Sequence, residues 1–207
     1  PFSNASRSIR HLMKEDIVFV CVAGHPTEDI IATGDSIGRI TLWMHDFFDS
    51  NFPTKTILHW HHLPVSDLCF STEGSFLYSV GKETVIVRWN LSNTNYGEKD
   101  FMPRTGMELK YVTVDRNHEY LATSHVDNSI LIIGSQFTGI KTSIDELSFA
   151  QGLTKSTPTL SYFSKLDSVL LNGRCGHLQF YSTNSQRQLF QLDIVAQNVL
   201  AEEDGII

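Results

Sequence analysis

The stretch "FSTEGSFLYSVGKETVIVRWNL", residues 70–91, decides how this chain of 207 residues is read. Phe76, Leu77 and Tyr78 lead into Gly81-Lys82-Glu83, and the β-branched run "TVIVRW" follows, ending in an aromatic. Such a pattern predicts a strand, a tight turn and a second strand. Three other segments align without a gap on its part "YSVGKETVIVRW" (78–89): "ATGDSIGRITLW" (32–43), "ATSHVDNSILII" (122–133) and "LLNGRCGHLQFY" (170–181). The third copy turns on Val126-Asp127-Asn128 and the fourth on Arg174-Cys175-Gly176, residue types that tolerate turn geometry.

The last residues of the four copies, Trp43, Trp89, Ile133 and Tyr181, stand 46, 44 and 48 positions apart. A four-stranded propeller blade repeats at roughly 40–45 residues. Upstream of each pair lies one more strand, "FVCVAG", "VSDLCFS", "LKYVTVD" and "TLSYFS"; downstream, "TKTILHWH" and "RQLFQLDI" supply outer strands. Long helical periodicity is missing, and "SIDELSFAQGL" (143–153) leaves room for one helical turn inside a loop. The expected architecture is all-β: four blades of an incomplete, seven-bladed β-propeller. Residues 1–17 lead in from a preceding blade. The blades cover 18–56, 57–100, 101–156 (with a loop insertion) and 157–194, and 195–207 begins the next one.

The charge balance is mildly acidic, 16 Lys and Arg against 23 Asp and Glu, a net −7. Proteins that bind nucleic acid chiefly by displacing counterions are usually basic, so a general polyanion binder is excluded. The local basic patch "SRSIRHLMK" (Arg7, Arg10, Lys14) leaves a local contact with nucleic acid open, and its first reading is a solvated connecting segment. Cys21, Cys69 and Cys175 are odd in number and form no C-x-x-C pair; two of them lie in apolar runs, which fits a reducing intracellular compartment. The apolar run "IVFVCVAG" is far short of the roughly 20 residues of a membrane helix. Pro1 stands where a start methionine would, with no charged-then-apolar leader, so a piece of a longer protein is expected.

The strand–turn–strand unit resembles the WD repeat, with Gly74 at its first turn and Trp89 closing its third strand. In that family a hydrogen-bonded set joins a His before the first strand, a Ser or Thr on the second, an Asp in the next turn and the Trp, which satisfies polar groups that are costly to bury. Residue by residue, the resemblance implies that His61, Ser79 and Trp89 hold those places in the second copy, while Glu83 departs from the pattern at the Asp. The third copy keeps Thr123 and Asp127 but has Thr105 for the His and Ile133 for the Trp. The first keeps Trp43 and puts Ile37 in the Asp place; the fourth substitutes Tyr181 and Cys175. Blades this degenerate are expected to rely more on apolar packing than on the polar set.

Histidine is the commonest metal ligand, and His59, His61 and His62 crowd around Trp60. On an outer strand, alternation would put His59 and His61 on one side and Trp60 on the other. His61 is then expected to turn inward as the structural histidine, with His59, Trp60 and His62 as a candidate exposed contact edge. Two histidines at i and i+2 make half a zinc site and lack a third ligand with suitable spacing. "TSHVDN" holds Ser124, His125 and Asp127, the residue types of a hydrolase triad, but adjacency across a turn does not produce triad geometry. "VAGHPTED", with His25 beside Asp29, reads as the turn between two strands. The glycines form no G-x-G-x-x-G and no P-loop. No catalytic motif, cofactor site or metal site is expected.

"CVAGHPTEDIIATGDSIGRITLW" (21–43), "LHWHHLPVSDLCFS" (58–71), "TSHVDNSILII" (123–133) and "LLNGRCGHLQFYS" (170–182) resemble the amino-terminal propeller of the WD repeat-containing protein 75 family, across most of residues 20–194. That resemblance implies a non-enzymatic scaffold of the nucleolar small-subunit processome, supporting 18S rRNA maturation and transcription by RNA polymerase I. The implied partners are other processome subunits and pre-ribosomal RNA, reached directly or through them, with no membrane and no small-molecule substrate. Family members carry two propellers and a helical tail, and this segment would supply four blades of the first. Two alternatives stay open at this point. A scaffold of another complex (a ubiquitin-ligase adaptor or trafficking coat) would co-purify with that machinery, and a metal-dependent enzyme using the His59–His62 cluster would carry stoichiometric zinc.

Overall fold

The computed structural model describes residues 17–44, 54–92, 97–102, 105–127 and 129–144, together with the stretches 159–163, 168–172, 177–182 and 187–193. Among these residues there are strands and no helix. The first sheet runs β1 (Phe19–Gly24), β2 (Ile30–Asp35), β3 (Arg39–Met44), β4 (Thr54–His59), and the second β5 (Val65–Phe70), β6 (Phe76–Gly81), β7 (Ile86–Asn90), β8 (Lys99–Met102). The third is β9 (Leu109–Val114), β10 (Tyr120–His125), β11 (Ile130–Gly134), β12 (Ile140–Ile144), and the fourth β13 (Thr159–Phe163), β14 (Ser168–Asn172), β15 (His177–Ser182), β16 (Gln188–Asp193). Each is an antiparallel meander. The first strands pack in series, β1 on β5, β5 on β9 and β9 on β13, so the sheets stack like blades about one side.

Burial explains the sequence pattern. The second sheet is covered on both faces, so β6 and β7 read as near-continuous apolar runs instead of alternating ones. Leu77, Val87 and Trp89 join Ile30, Ile40, Leu42 and Phe70 in one core between the first and second sheets. Their strand neighbours Tyr78, Val80 and Ile86 face the other way and pack with Leu109, Val112, Leu121 and Ile133 against the third sheet. Strands β8 and β12 had no counterpart in the sequence reading. Being short outer strands such as "KDFM", half exposed and charged, they carry no apolar alternation. In the segment 143–153, where a helical turn had room, residues 143 and 144 belong to β12; the rest lies outside the described residues, as do the basic patch at 6–14 and Cys175. No described helix is long and apolar enough to cross a membrane.

Polar ties between sheets supplement the packing. Arg88 lies 4.9 Å from the Phe76 ring centre and 5.3 Å from that of Phe137, between the two rings of neighbouring sheets. Its guanidinium donates to Ser135 O (3.1 Å), Gln136 Oε1 (2.7 Å) and Asp100 Oδ2 (2.6 Å), and the Tyr78 hydroxyl donates to Ser135 O at 3.1 Å. Burial pushes the Cys21 and Cys69 thiols up to about 12 and about 11, so both are inert, protonated small hydrophobes.

Asp67 on β5 accepts the Val112 N–H of β9 at 3.0 Å. Burial nevertheless pushes its carboxyl from 3.8 up to about 6, against the two backbone N–H bonds that favour the anion. The unfolded chain releases this proton near 3.8 and the folded chain only near 6, so between those values the folded state holds more protons and stability falls as pH rises. Asp67→Asn keeps a carbonyl for Val112 and removes the charge. We expect it to stabilise the protein by about 1–3 kcal/mol at pH 7.5, with the gain vanishing near pH 4. Urea unfolding of both forms at the two pH values measures the difference; an equal effect at both would rule out charge burial as its source.

Candidate functional site

The turns β2–β3, β6–β7 and β10–β11, with the loops entering β5 and β9, form one rim of the stack, and its buried polar groups come from the repeat positions. In the second sheet, Trp89 Nε1 donates to Ser79 Oγ at 3.0 Å, and Ser79 Oγ lies 2.8 Å from His61 Nε2. His61 Nδ1 lies 3.2 Å from Glu83 Oε2. A carboxylate only accepts, so the proton sits on Nδ1, and Nε2 accepts from the serine hydroxyl. The directions then run consistently from indole to hydroxyl to imidazole to carboxylate. Glu83 Oε1 closes the set by accepting the N–H groups of His62 (2.6 Å) and Leu63 (2.5 Å).

The His61–Glu83 contact has ion-pair length but is a hydrogen bond from a neutral imidazole to a carboxylate. Desolvation of the fully buried imidazole holds His61 below its ordinary value, outweighing the upward pull of Glu83. Burial pushes Glu83 up, but the N–H of Leu63, its own N–H, His61 and the N–H of His62 together bring it below the usual carboxylate range. Glutamate thus fills the Asp place because its extra methylene still reaches both His61 and the backbone of the loop. Ser79, His61 and Glu83 are the residue types of a hydrolase triad, yet Ser79 has no exposed surface and accepts from Trp89, which leaves its oxygen closed to a substrate.

The third sheet reaches a similar arrangement by a different route. Aligned with Gly81 stands His125, whose Nδ1 donates to Met107 O at 3.1 Å, leaving Nε2 to accept from Thr123 Oγ1 at 3.2 Å. Burial keeps this imidazole neutral as well. Gly81 leaves room for His61 to enter from the preceding loop, since a Cβ there would stand 3.2 Å from His61 Nδ1. Where the loop supplies Thr105, the ring grows from the strand end itself. Ile133 is fully buried in the Trp place, and Asp127 accepts from the N–H and hydroxyl of Ser129, capping the turn. Ser124 is buried on the opposite face from Thr123, so Ser124, His125 and Asp127 are not brought together as a triad.

In the first sheet Trp43 Nε1 donates to Thr33 Oγ1 at 2.9 Å. Ile37, in the Asp place, is 42% exposed, and the turn is held instead by Asp35, whose Oδ1 accepts the N–H groups of Ile37 (3.1 Å) and Arg39 (2.9 Å) while Oδ2 meets Arg39 Nε at 2.8 Å. Positions 35, 81 and 125 therefore hold Asp, Gly and His as three local solutions to one buried polar problem. The alignment contained that signal, a histidine appearing where the loop lacks one, and the sequence reading missed it. Tyr181 lies on β15 opposite Val169 and Gln188, and its side chain is outside the described residues.

The HWHH cluster is divided by its backbone. Strand β4 ends at His59, so alternation does not extend to His61. His59 and His62 are exposed and stack with ring centres 6.3 Å apart, whereas Trp60 is half-buried, packing on the first core and 4.9 Å from Phe101. No described group of three His, Cys, Asp or Glu could hold a metal ion. His25 lies in the β1–β2 turn, where Nδ1 accepts the N–H groups of Thr27 and Glu28 and Nε2 donates to Gly74 O at 3.1 Å, tying the first sheet to the second at the opposite rim.

The solved RRP9 WD40 repeats match with a TM-score of 0.67 at 14% identity, covering 87% of this chain and 52% of theirs, a likeness of fold. WD repeat-containing protein 75 of Homo sapiens is 38% identical over 200 residues, 95% of this chain and 22% of its own length, and the Xenopus laevis protein of that name is 41% identical over 186 residues, 88% and 21%. The chain thus spans about a fifth of those relatives. U3 small nucleolar RNA-associated protein 17 of Schizosaccharomyces pombe is 29% identical over 102 residues, 49% of this chain and 12% of its own. Residues 162–206 match the second beta-propeller of WD repeat-containing protein 75, so the fourth sheet, read from the sequence as continuing the first ring, falls in a stretch with the second ring's signature. Residues 9–128, more than half of the chain, match the first beta-propeller. With the repeat spacing, the stacked four-stranded sheets and the buried indole–hydroxyl–imidazole relay, these matches place the chain in the WD repeat-containing protein 75 family.

Proposed function

We propose that the chain is part of a non-enzymatic, protein-binding scaffold in ribosome biogenesis: a subunit of the nucleolar small-subunit processome that supports 18S rRNA maturation and transcription by RNA polymerase I. The observation that carries the scaffold reading is the rim described above. Its relay side chains His61, Ser79, Trp89 and Glu83 are engaged with one another, while Ile37 (42% exposed), Leu63 (46%), Met107 (50%) and Val126 (42%) project from its turns and loops. A rigid surface with apolar projections suits protein contacts, and a net −7 disfavours phosphate as the main partner. The processome reading is supported by the family and by the fission-yeast relative, whose name associates it with U3 small nucleolar RNA.

The test is to tag the full-length protein in cells, purify it gently and identify what accompanies it. Co-recovery of U3 and the 5′ part of pre-ribosomal RNA with other processome subunits is expected, as is nucleolar location of the tagged protein. A preparation dominated by ubiquitin-ligase or coat components, free of ribosomal precursors, would replace the processome with another complex.

A further inference from the structure

A cleft of about 220 Å³ opens between the first and second sheets on the rim opposite the relays. Its floor is apolar: Ile30 and Leu42, 8% and 1% exposed, with half-buried Leu91 beside them. Glu28 and Glu73, both exposed, line it from the β1–β2 and β5–β6 turns. The neighbouring His25 ring has both nitrogens engaged, Nδ1 by Thr27 and Glu28 N–H and Nε2 by Gly74 O. It therefore fixes the two turns in relation to each other and offers the cleft no free donor. Glu73 accepts from Thr72 at 2.8 Å and lies 3.6 Å from His118, contacts that leave its carboxylate with further acceptor sites.

We propose that this cleft receives an arginine side chain from a basic segment of a protein partner. Arginine matches both halves of the site: its three-carbon stem covers the apolar floor, and its planar guanidinium offers several donors to the carboxylates that line it. A phosphate-bearing ligand would meet the glutamates with like charge, and a purely apolar side chain would leave them without a counter-charge. The chain's net −7 favours the same partner at long range. This inference concerns a protein contact at one rim and stands or falls independently of the processome assignment.

The probe is a short fluorescein-labelled glycine–serine peptide carrying arginines, titrated against the full-length protein by fluorescence anisotropy. A second peptide replaces arginine with citrulline, which keeps the shape and removes the charge. We expect saturable binding of the arginine peptide, weakened at least about tenfold by Glu28→Gln combined with Glu73→Gln, and by citrulline to a similar extent. Both glutamates are exposed, so the double variant should melt like the parent. A charge-matched control at the opposite rim, Glu108→Gln with Asp127→Asn, should bind as the parent does. Absence of saturable binding, equal binding of the citrulline peptide, or equal loss in the control variant would each overturn the proposal.

Discussion

Trp89→Ala is expected to destabilise the propeller by about 3–5 kcal/mol, as truncation of other fully buried large aromatics does. Trp89 is 1% exposed and packs among Leu77, Val87 and Phe70 in the core shared by the first two sheets. Its removal opens a cavity where two sheets meet and leaves Ser79 without its indole donor. The polar part can be separated. Trp89→Phe keeps most of the packing, loses the 3.0 Å bond to Ser79, and should cost about 1–2 kcal/mol. Because the parent protein is expected to unfold in several steps, urea unfolding should be followed by hydrogen exchange at the amides of β5–β7. A loss under about 1 kcal/mol for Trp89→Ala would mean that the core lies elsewhere.

Gly38→Ala should cost about 2–5 kcal/mol, although the residue sits in a surface turn. Gly38 has φ +85°, a left-handed conformation that strains any residue with a Cβ. A Cβ there would also collide with the carbonyl of His61, and it would approach Leu63 O at 2.9 Å. Those are backbone atoms, unable to rotate aside, so the loop that carries His61 into its relay must move. The local readout is the His62 and Leu63 amides, which donate to Glu83 and should exchange faster in the variant. Gly38→Asn, which tolerates left-handed φ better, should recover only the conformational part. Protection of both amides at the parent level in Gly38→Ala would show that the turn yields without disturbing the relay.

Much of this molecule could be read from the chain alone because a blade is a local object. "TVIVRW" and its three counterparts are strands bounded by turns, and their spacing of 44–48 residues leaves little choice but four-stranded repeats. The places of His61, Ser79 and Trp89 followed from the repeat, and the structure puts those three side chains within hydrogen-bonding reach. The outer strands β8 and β12 were not legible, since a half-exposed edge strand needs no apolar pattern. Trp60 was misplaced because alternation holds only inside a strand, and β4 ends one residue earlier.

The sequence by itself therefore determined the repeat, the order of the three inner strands of each blade and the apolar character of the central ones, all set by separations of a few residues. Contacts between blades were decided only in three dimensions. Arg88 between Phe76 and Phe137, Asp67 under Val112 and His25 bonded to Gly74 join residues whose pairing no local spacing encodes. A buried polar group needs a partner in space, and it takes whichever chain segment the stacked sheets bring near.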